Sequence, residues 1–331
     1  KIALFGSVDR HAVFTSPDVR TIYELPLVLD EQGFGDYICD RLNISRDKAD
    51  WTSWRRIVKS FLDTDYKVKI AICGKYAKLA DSYISINDAL RVAGAAVSAK
   101  VDIELIEAEA FEEKSESLKM LSEYDGILVP GGFGTRGTEG KIAAIGYARK
   151  NNIPLLGLCF GFQLTVAEYA RSICGLKDAN SLELNPETNH PVVSLLPEQK
   201  RVRNKGATMR LGASPITIKP DTIAHKLYNA DIIYERHRHR YEVTPKYLPI
   251  LKEHGLVFSG TTPDGVRMEI LELPTNYFFL GTQYHPEFKS RPGRPDPAFY
   301  GFIKAALDKK MGKTRPEFDK IVENAEAKYL R

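Results

Sequence analysis

Cys159 ends an apolar run, residues 153–158, and opens an amphipathic one, residues 163–170. Gly157 and Gly161 stand two residues before and two after it. That pattern suits a nucleophile on a tight strand-to-helix turn, where strand and helix approach closely and the turn is strained. Backbone N–H groups just after such a turn point at the site and can hold an oxyanion. The competing reading is a structural thiol, because cysteine is often buried.

A cysteine nucleophile needs a base and a group that orients the base. Seven histidines compete, and His285 in Gly281-Thr282-Gln283-Tyr284-His285-Pro286-Glu287-Phe288 fits best. It follows an apolar strand pattern, and open α/β sheets place their sites at the C-terminal ends of strands. Pro286 biases His285 towards an extended conformation, in which Glu287, two residues on, shares its face. A carboxylate there holds the imidazole tautomer and favours imidazolium, the counter-ion of a reactive thiolate. A surface histidine beside an unrelated glutamate is the plain alternative.

Residues 125–137 read D-G-I-L-V-P-G-G-F-G-T-R-G, a strand running into a glycine loop. Gly132, Gly134 and Gly137 satisfy the spacing of a dinucleotide fingerprint, but the next strand ends in Cys159 where a ribose-binding acid should stand. A phosphate P-loop also fails, because Thr135 and Ile142 occupy positions that need glycine and Ser or Thr. Gly131-Gly132 is better read as a backbone approach to a small substrate, giving an oxyanion N–H beside that of Phe160. The run Glu235-Arg236-His237-Arg238-His239-Arg240-Tyr241 reads as a solvated strand face, or as a site where Arg240 or a neighbour clamps a carboxylate. His-x-His can bind metal, but no third ligand is near in sequence and three arginines repel a cation, so no metal site is expected.

The elements that must position these residues follow from periodicity. Strands over residues 69–73, 101–106, 125–129 and 153–158 alternate with helices over 81–99, 111–122 and 139–150. This is the pattern of an α/β fold with a doubly wound, mostly parallel sheet and flanking helices. After Gly175 the texture becomes β-rich, with strands at 192–196, 216–219 and 232–234, a hairpin at 256–273 turning at Thr262-Pro263-Asp264-Gly265, and a buried strand at 278–284. Residues 297–307 read as a closing helix. Residues 1–5 read as a short strand, and residues 43–50 with the segment around Trp51 and Trp54 as a linker. The expected units are 1–55, 66–308 and a basic tail over 309–331.

Of 331 residues 43% are apolar, enough for a sizeable core. The 47 basic and 43 acidic residues nearly balance, which argues against a nucleic-acid surface. Cys39, Cys73, Cys159 and Cys174 form no short-spaced framework, so a reduced cytoplasmic setting is expected and a zinc site is not. No apolar run is long enough for a membrane span, and the opening at Lys1 suggests a fragment.

The chain resembles the glutaminase half of the CTP synthase family, within the triad (class I) glutamine amidotransferases. The general likeness lies in Pro130-Gly131-Gly132, Gly157-Leu158-Cys159-Phe160-Gly161 and His285-Pro286-Glu287. The narrower one lies in Gly132-Phe133-Gly134-Thr135-Arg136-Gly137, Gly206-Ala207-Thr208-Met209-Arg210-Leu211-Gly212, residues 235–243 and Ile22-Tyr23-Glu24-Leu25-Pro26. The resemblance implies that Cys159 attacks the glutamine amide, His285 shuttles the proton and Glu287 orients it. It implies glutamine contacts at Gly132, Phe160, Gly161, Phe162, Gln163, Glu183 and Arg240, and a GTP-responsive lid at Arg136. It also implies that residues 1–55 are the end of a synthetase domain, with Lys1 matching a pyrimidine-nucleotide contact and Pro17, Asp18 and Val19 an ATP contact. Ammonia would pass to that domain for Mg-ATP-dependent amination of UTP, in a homotetrameric parent, and this chain would need no cofactor of its own. Phe160 and Phe162 are bulkier than the aliphatic residues expected beside the nucleophile, and the insert at 199–205 is short. The rival class is a catalytically silent amidotransferase-like binding or regulatory module; intact Cys159, His285 and Glu287 favour the enzyme.

Overall fold

The computed structural model describes residues 1–45, 47, 49–75, 80–113, 115–195 and 209–316. The insert at 199–205, Gly206 to Thr208 of the family motif and most of the basic tail lie outside them. The sheet begins with β1 (Tyr66–Gly74), where Val68, Ile70 and Ile72 point to one core and Ala71 and Cys73 to the other. Such a strand is apolar on both faces because helices cover both. β2 (Ala99–Glu107), β3 (Gly126–Val129) and β4 (Leu155–Leu158) join it in parallel.

The β-rich half does not form a separate layer. Its strands continue the same sheet: β7 (Arg210–Ile218), β8 (Ile232–His239), β10 (Val257–Thr261), β11 (Met268–Glu272) and β12 (Phe279–Thr282). Among the described residues the order is β2-β1-β3-β4-β12-β11-β10-β7-β8. β12 lies parallel to β4, and every pairing beyond it is antiparallel. The C-terminal ends of β3, β4 and β12 are therefore adjacent, and each carries a segment singled out above. A small second sheet contains β5 (Asn180–Ser181), β6 (Pro191–Leu195) and β9 (Tyr241–Val243).

Helices α5 (Ile84–Ala96) and α11 (Pro297–Lys310) bury Leu90, Phe299 and Phe302 against one face of the sheet. Helices α7 (Thr138–Lys150) and α8 (Phe160–Ser172) bury Ile145, Leu164 and Val166 against the other. The remaining helices are α1 (Ile2–Gly6), α2 (Leu25–Glu31), α3 (Phe34–Leu42), α4 (Thr52–Leu62), α6 (Ala110–Glu113), α9 (Ile223–Tyr228) and α10 (Leu248–Glu253).

Several expectations need correction. Residues 2–6 form a helical turn and not a strand; a short apolar run fits either, and the capping Ser7 in the left-handed conformation ends it as a helix. The tryptophan segment is helix α4 and not a linker. Trp51 donates to Asp30 at 2.6 Å, Trp54 donates to the Tyr23 carbonyl at 2.9 Å, and Phe61 stacks on Tyr23 with ring centroids 4.6 Å apart. The expected helix over 111–122 is α6 followed by a tighter 3₁₀ stretch, Ser115–Glu123. β8 and β7 are much longer than the cores read from sequence.

Candidate active site

Cys159 occupies the turn between β4 and α8 with φ 49° and ψ −94°, a conformation that L-residues rarely adopt. The glycines around it are demanded by close approach. A Cβ on Gly161 would stand 2.2 Å from the Val129 carbonyl oxygen, and one on Gly157 would stand 3.1 Å from the Gly161 backbone. The turn is anchored by Cys159 N–H donating to Thr282 O at 2.7 Å, and the first helical bond runs from Gln163 N–H to Cys159 O. The N–H groups of Phe160, Gly161 and Phe162 are thus the helix's open N-terminal donors.

His285 stands just past β12, with its N–H donating to Arg236 O at 2.9 Å. Its Nδ1 meets Glu287 Oε1 at 2.8 Å. The geometry differs from the extended segment expected: His285, at φ −112° and ψ 82°, falls short of it, and Pro286–Phe288 is a 3₁₀ turn that carries Glu287 back to the ring. Burial disfavours a charged imidazole here. Interaction with Cys159 and with Glu287 outweighs it, and the ring is pulled up from 6.5 to about 10. At neutral pH His285 is therefore imidazolium. The Cys159 sulfur also lies 3.8 Å from Arg238 O and 3.8 Å from Gln283 Nε2.

The glycine loop after β3 closes one side of this group. A Cβ on Gly131 would meet His285 Cε1 at 3.0 Å and Cys159 Cβ at 3.7 Å, and one on Gly132 would meet Phe160 Cδ1 at 3.8 Å. The small sheet adjoins this loop. Glu183 follows β5, and its Oε1 accepts from Gly134 N–H at 3.3 Å. Arg240 sits where the chain leaves β8 for β9 and interacts with Glu183 electrostatically. Burial pushes the Glu183 carboxyl up, against the pull of Gly134 N–H, Lys75 and Arg240.

Not every expected contact residue presents its side chain. Phe162 is fully buried in the core against Gly281. The Gln163 amide is committed to Tyr241 O at 3.0 Å and Gln283 at 3.2 Å. For both, only the backbone remains for a substrate, because an amphipathic helix entering the core turns these positions inward. Phe160 is likewise buried, so its bulk is absorbed by packing. Arg136 is half exposed, 3.7 Å from Glu109, in the turn that enters α7 through Gly137 at φ 68°. Lys1, Pro17 and Asp18 are exposed, and Val19 partly so, in the N-terminal segment.

The Glu235-to-Tyr241 run is not a solvated face. It alternates: Glu235, His237 and His239 are buried, while Arg236 and Arg238 are exposed. A third possible ligand does lie beside His237 and His239, because the fold brings Glu269 of β11 within 4.8 Å of them. Three of the four ring nitrogens have a hydrogen-bond partner, and the buried His237 Nε2 has none among the described residues. His239 Nδ1 faces Tyr241 O at 3.2 Å, so it carries the proton and its Nε2 accepts from His237 Nδ1 at 3.1 Å. Arg210 pairs with Glu269, and burial together with Arg210 pushes His237 down to about 2 and His239 down to about 3.

Sequence reasoning missed Gln283, Lys75 and Lys141. Gln283 was visible only as a polar residue in an apolar strand. Lys75 donates to Phe133 O at 2.7 Å and Gly134 O at 3.4 Å, pinning the glycine loop. Lys141 is fully buried.

Comparison with known proteins agrees with this geometry. Residues 78–305 match the family described as Glutamine amidotransferase class-I. The chain belongs to that family. Residues 1–44 match a second family, CTP synthase N-terminus. The amidotransferase is 54% identical over 92% of its length to a CTP synthase of Methanopyrus kandleri, and 52% identical over 94% to one of Thermococcus gammatolerans. It spans 57% and 58% of those two proteins. It is also similar to the solved glutaminase domain of Trypanosoma brucei CTPS with bound acivicin, with TM-score 0.69 and 41% identity over 73% of this chain and 94% of that one.

Proposed function

We propose that this chain is the glutaminase part of a CTP synthase, with Cys159, His285 and Glu287 as its catalytic residues. The observation that carries the reading is the pairing of a strained Cys159 with an imidazole pulled up to about 10 by that cysteine and by Glu287. Such a pair sets the nucleophile against an acid ready for the leaving group.

Glu183 and Arg240 suit the α-ammonium and α-carboxylate of an amino acid, opposite charges offered side by side. The thiolate attacks the side-chain amide carbon, and the oxyanion meets the N–H groups of Gly132 and Phe160. His285 gives its proton to the amine, the C–N bond breaks, and ammonia leaves a thioester on Cys159. Neutral His285 then takes a proton from water, whose oxygen attacks the thioester and releases glutamate. Glu287 holds the ring in the tautomer that both steps need.

The ammonia serves the synthetase domain of the parent polypeptide for Mg-ATP-dependent amination of UTP to CTP. The match over residues 1–44 supports treating Lys1, Pro17, Asp18 and Val19 as remnants of its nucleotide sites. Arg136, on a loop of glycines, is assigned to a GTP-responsive lid. The parent is read as a cytoplasmic homotetramer; among the described residues no helix is long and apolar enough to cross a membrane. The direct test is release of glutamate and ammonia from L-glutamine by the purified chain. Equimolar release supports the reading, and absence of release, with the protein folded, overturns it.

A further inference from the structure

Lys141 lies in the first turn of α7 with none of its surface exposed, and among the described residues its Nζ has no hydrogen-bond partner. A buried ammonium without an acceptor is costly, and lysine is rarely buried unless paired. Its described neighbours supply no counter-charge. From β1, Lys75 repels it, and the Cys73 thiol is pushed up to about 12 by burial and so is neutral. From α8 it faces the Phe160 ring, 5.4 Å from the centroid. The acids around α6 are engaged elsewhere: Glu112 accepts from Gly140 N–H, and Glu109 pairs with Arg136.

The place of this charge is informative. The position that a Cβ on Gly132 would take is 3.6 Å from Lys141 Nζ and 3.8 Å from the Phe160 ring. The same position on Gly131 is in contact with Cys159 and His285. The ammonium thus stands against Gly132 and Phe160, the residues next in the chain to Gly131, which meets Cys159 and His285, and to Cys159 itself.

We propose that Lys141 is a positioning residue whose unneutralised ammonium, acting through the Gly132–Phe160 backbone, stabilises the anionic tetrahedral intermediate formed on Cys159. This rests on the glutaminase reading and deepens it. A charge that meets its counter-charge only when the oxyanion forms binds the transition state better than the neutral amide, which raises kcat and not affinity. Burial first, then Lys75, pushes Lys141 down to about 8. The ammonium is therefore present below that pH and lost above it, so the contribution fades on the alkaline side while His285 is still protonated.

The test compares the wild-type chain with Lys141→Met and Lys141→Gln, two charge-free side chains of similar length. Three quantities are read: kcat and KM for glutamine from pH 6 to about 9.5, a range that spans the lysine's depressed value, and the rate of Cys159 alkylation by iodoacetamide, a displacement that forms no oxyanion. Wild-type chain that fails to release glutamate refutes the glutaminase reading itself and is seen before any variant is made. Given wild-type turnover, the expected result is a fall in kcat of roughly 10- to 100-fold in both variants, with KM and alkylation little changed. The wild-type alkaline limb near pH 8 should be absent from them. A fall of less than about fivefold, a loss confined to KM, or a parallel loss of alkylation overturns the proposal. Should both variants fail to fold, the wild-type profile decides: kcat that stays flat through pH 9 is incompatible with the role, whatever the variants do.

Discussion

Two groups of histidines, far apart in sequence, are brought together where His285 N–H bonds Arg236 O of β8, and they meet opposite fates. His285 keeps its proton, pulled up to about 10, while His237 and His239 are pushed down to about 2 and about 3. His237 and His239 are buried and His285 is largely so, and burial disfavours charge in each. The difference is what stands beside them. His285 faces the Cys159 sulfur and the Glu287 carboxylate, whereas the carboxylates beside His237 and His239, Glu269 and Glu242, pair with Arg210 and Arg267, whose guanidiniums oppose a proton on either ring. An imidazole becomes a working acid through its neighbours and not through its depth. The neutral pair instead relays one hydrogen bond into the next and ends at the Tyr241 carbonyl, beside the switch that aims Arg240.

The strongest way to break the contrast is to remove the partner that defines it. Cys159→Ala should lower glutamine hydrolysis by roughly 10⁴-fold or more, with the circular dichroism spectrum unchanged. His285→Ala should cost on the order of 10³- to 10⁴-fold in kcat, and Glu287→Ala about 10- to 100-fold less than that, since an orienting group contributes less than the proton carrier. His239→Phe should act differently. It strands the His237 donor, while the Tyr241 carbonyl keeps its bond from Gln163, so it should cost about 1–3 kcal/mol in denaturant unfolding while kcat stays within an order of magnitude. A collapse of kcat in His239→Phe that matched His285→Ala would erase the distinction between the groups.

The contrast can also be sharpened by titration. A raised folded-state value gives His285 a stabilising contribution that is complete below pH 6.5 and lost as pH rises through about 10. The imidazole NMR signals of His237 and His239 should stay in the neutral form from pH 5 upward, and that of His285 in the charged form to about pH 9. Gly161→Ala carries an effect of the same size as His239→Phe, read on stability. Its methyl group must displace the Val129 carbonyl, costing about 1–3 kcal/mol in thermal or denaturant unfolding.

What was legible in the sequence was what is local. Strand, cysteine and helix are contiguous, so the elbow at Cys159 could be read from its flanking glycines, and Glu287 lies two residues from His285. The parallel half of the sheet followed from its alternating elements. What escaped depends on contacts between distant segments. Glu269 reaches His237 only because β11 and β8 sit in the same sheet, and nothing around His237 in sequence signals that a carboxylate will be near. Lys141 reads as an ordinary polar helix residue, because its burial is imposed by Phe160 and β1 packing over it. Residues 2–6 were misread because a run of four apolar residues is too short to carry a period.

The central claim, that Cys159 is the nucleophile of a glutamine-hydrolysing site, is tested most directly by treating the chain with a glutamine-like electrophile and locating the adduct by peptide mass mapping. The account requires one adduct per chain, on Cys159, formed in step with the loss of glutamate release and slowed by excess glutamine. An adduct on Cys39, Cys73 or Cys174, or glutamate release that persists once Cys159 is fully modified, would contradict it.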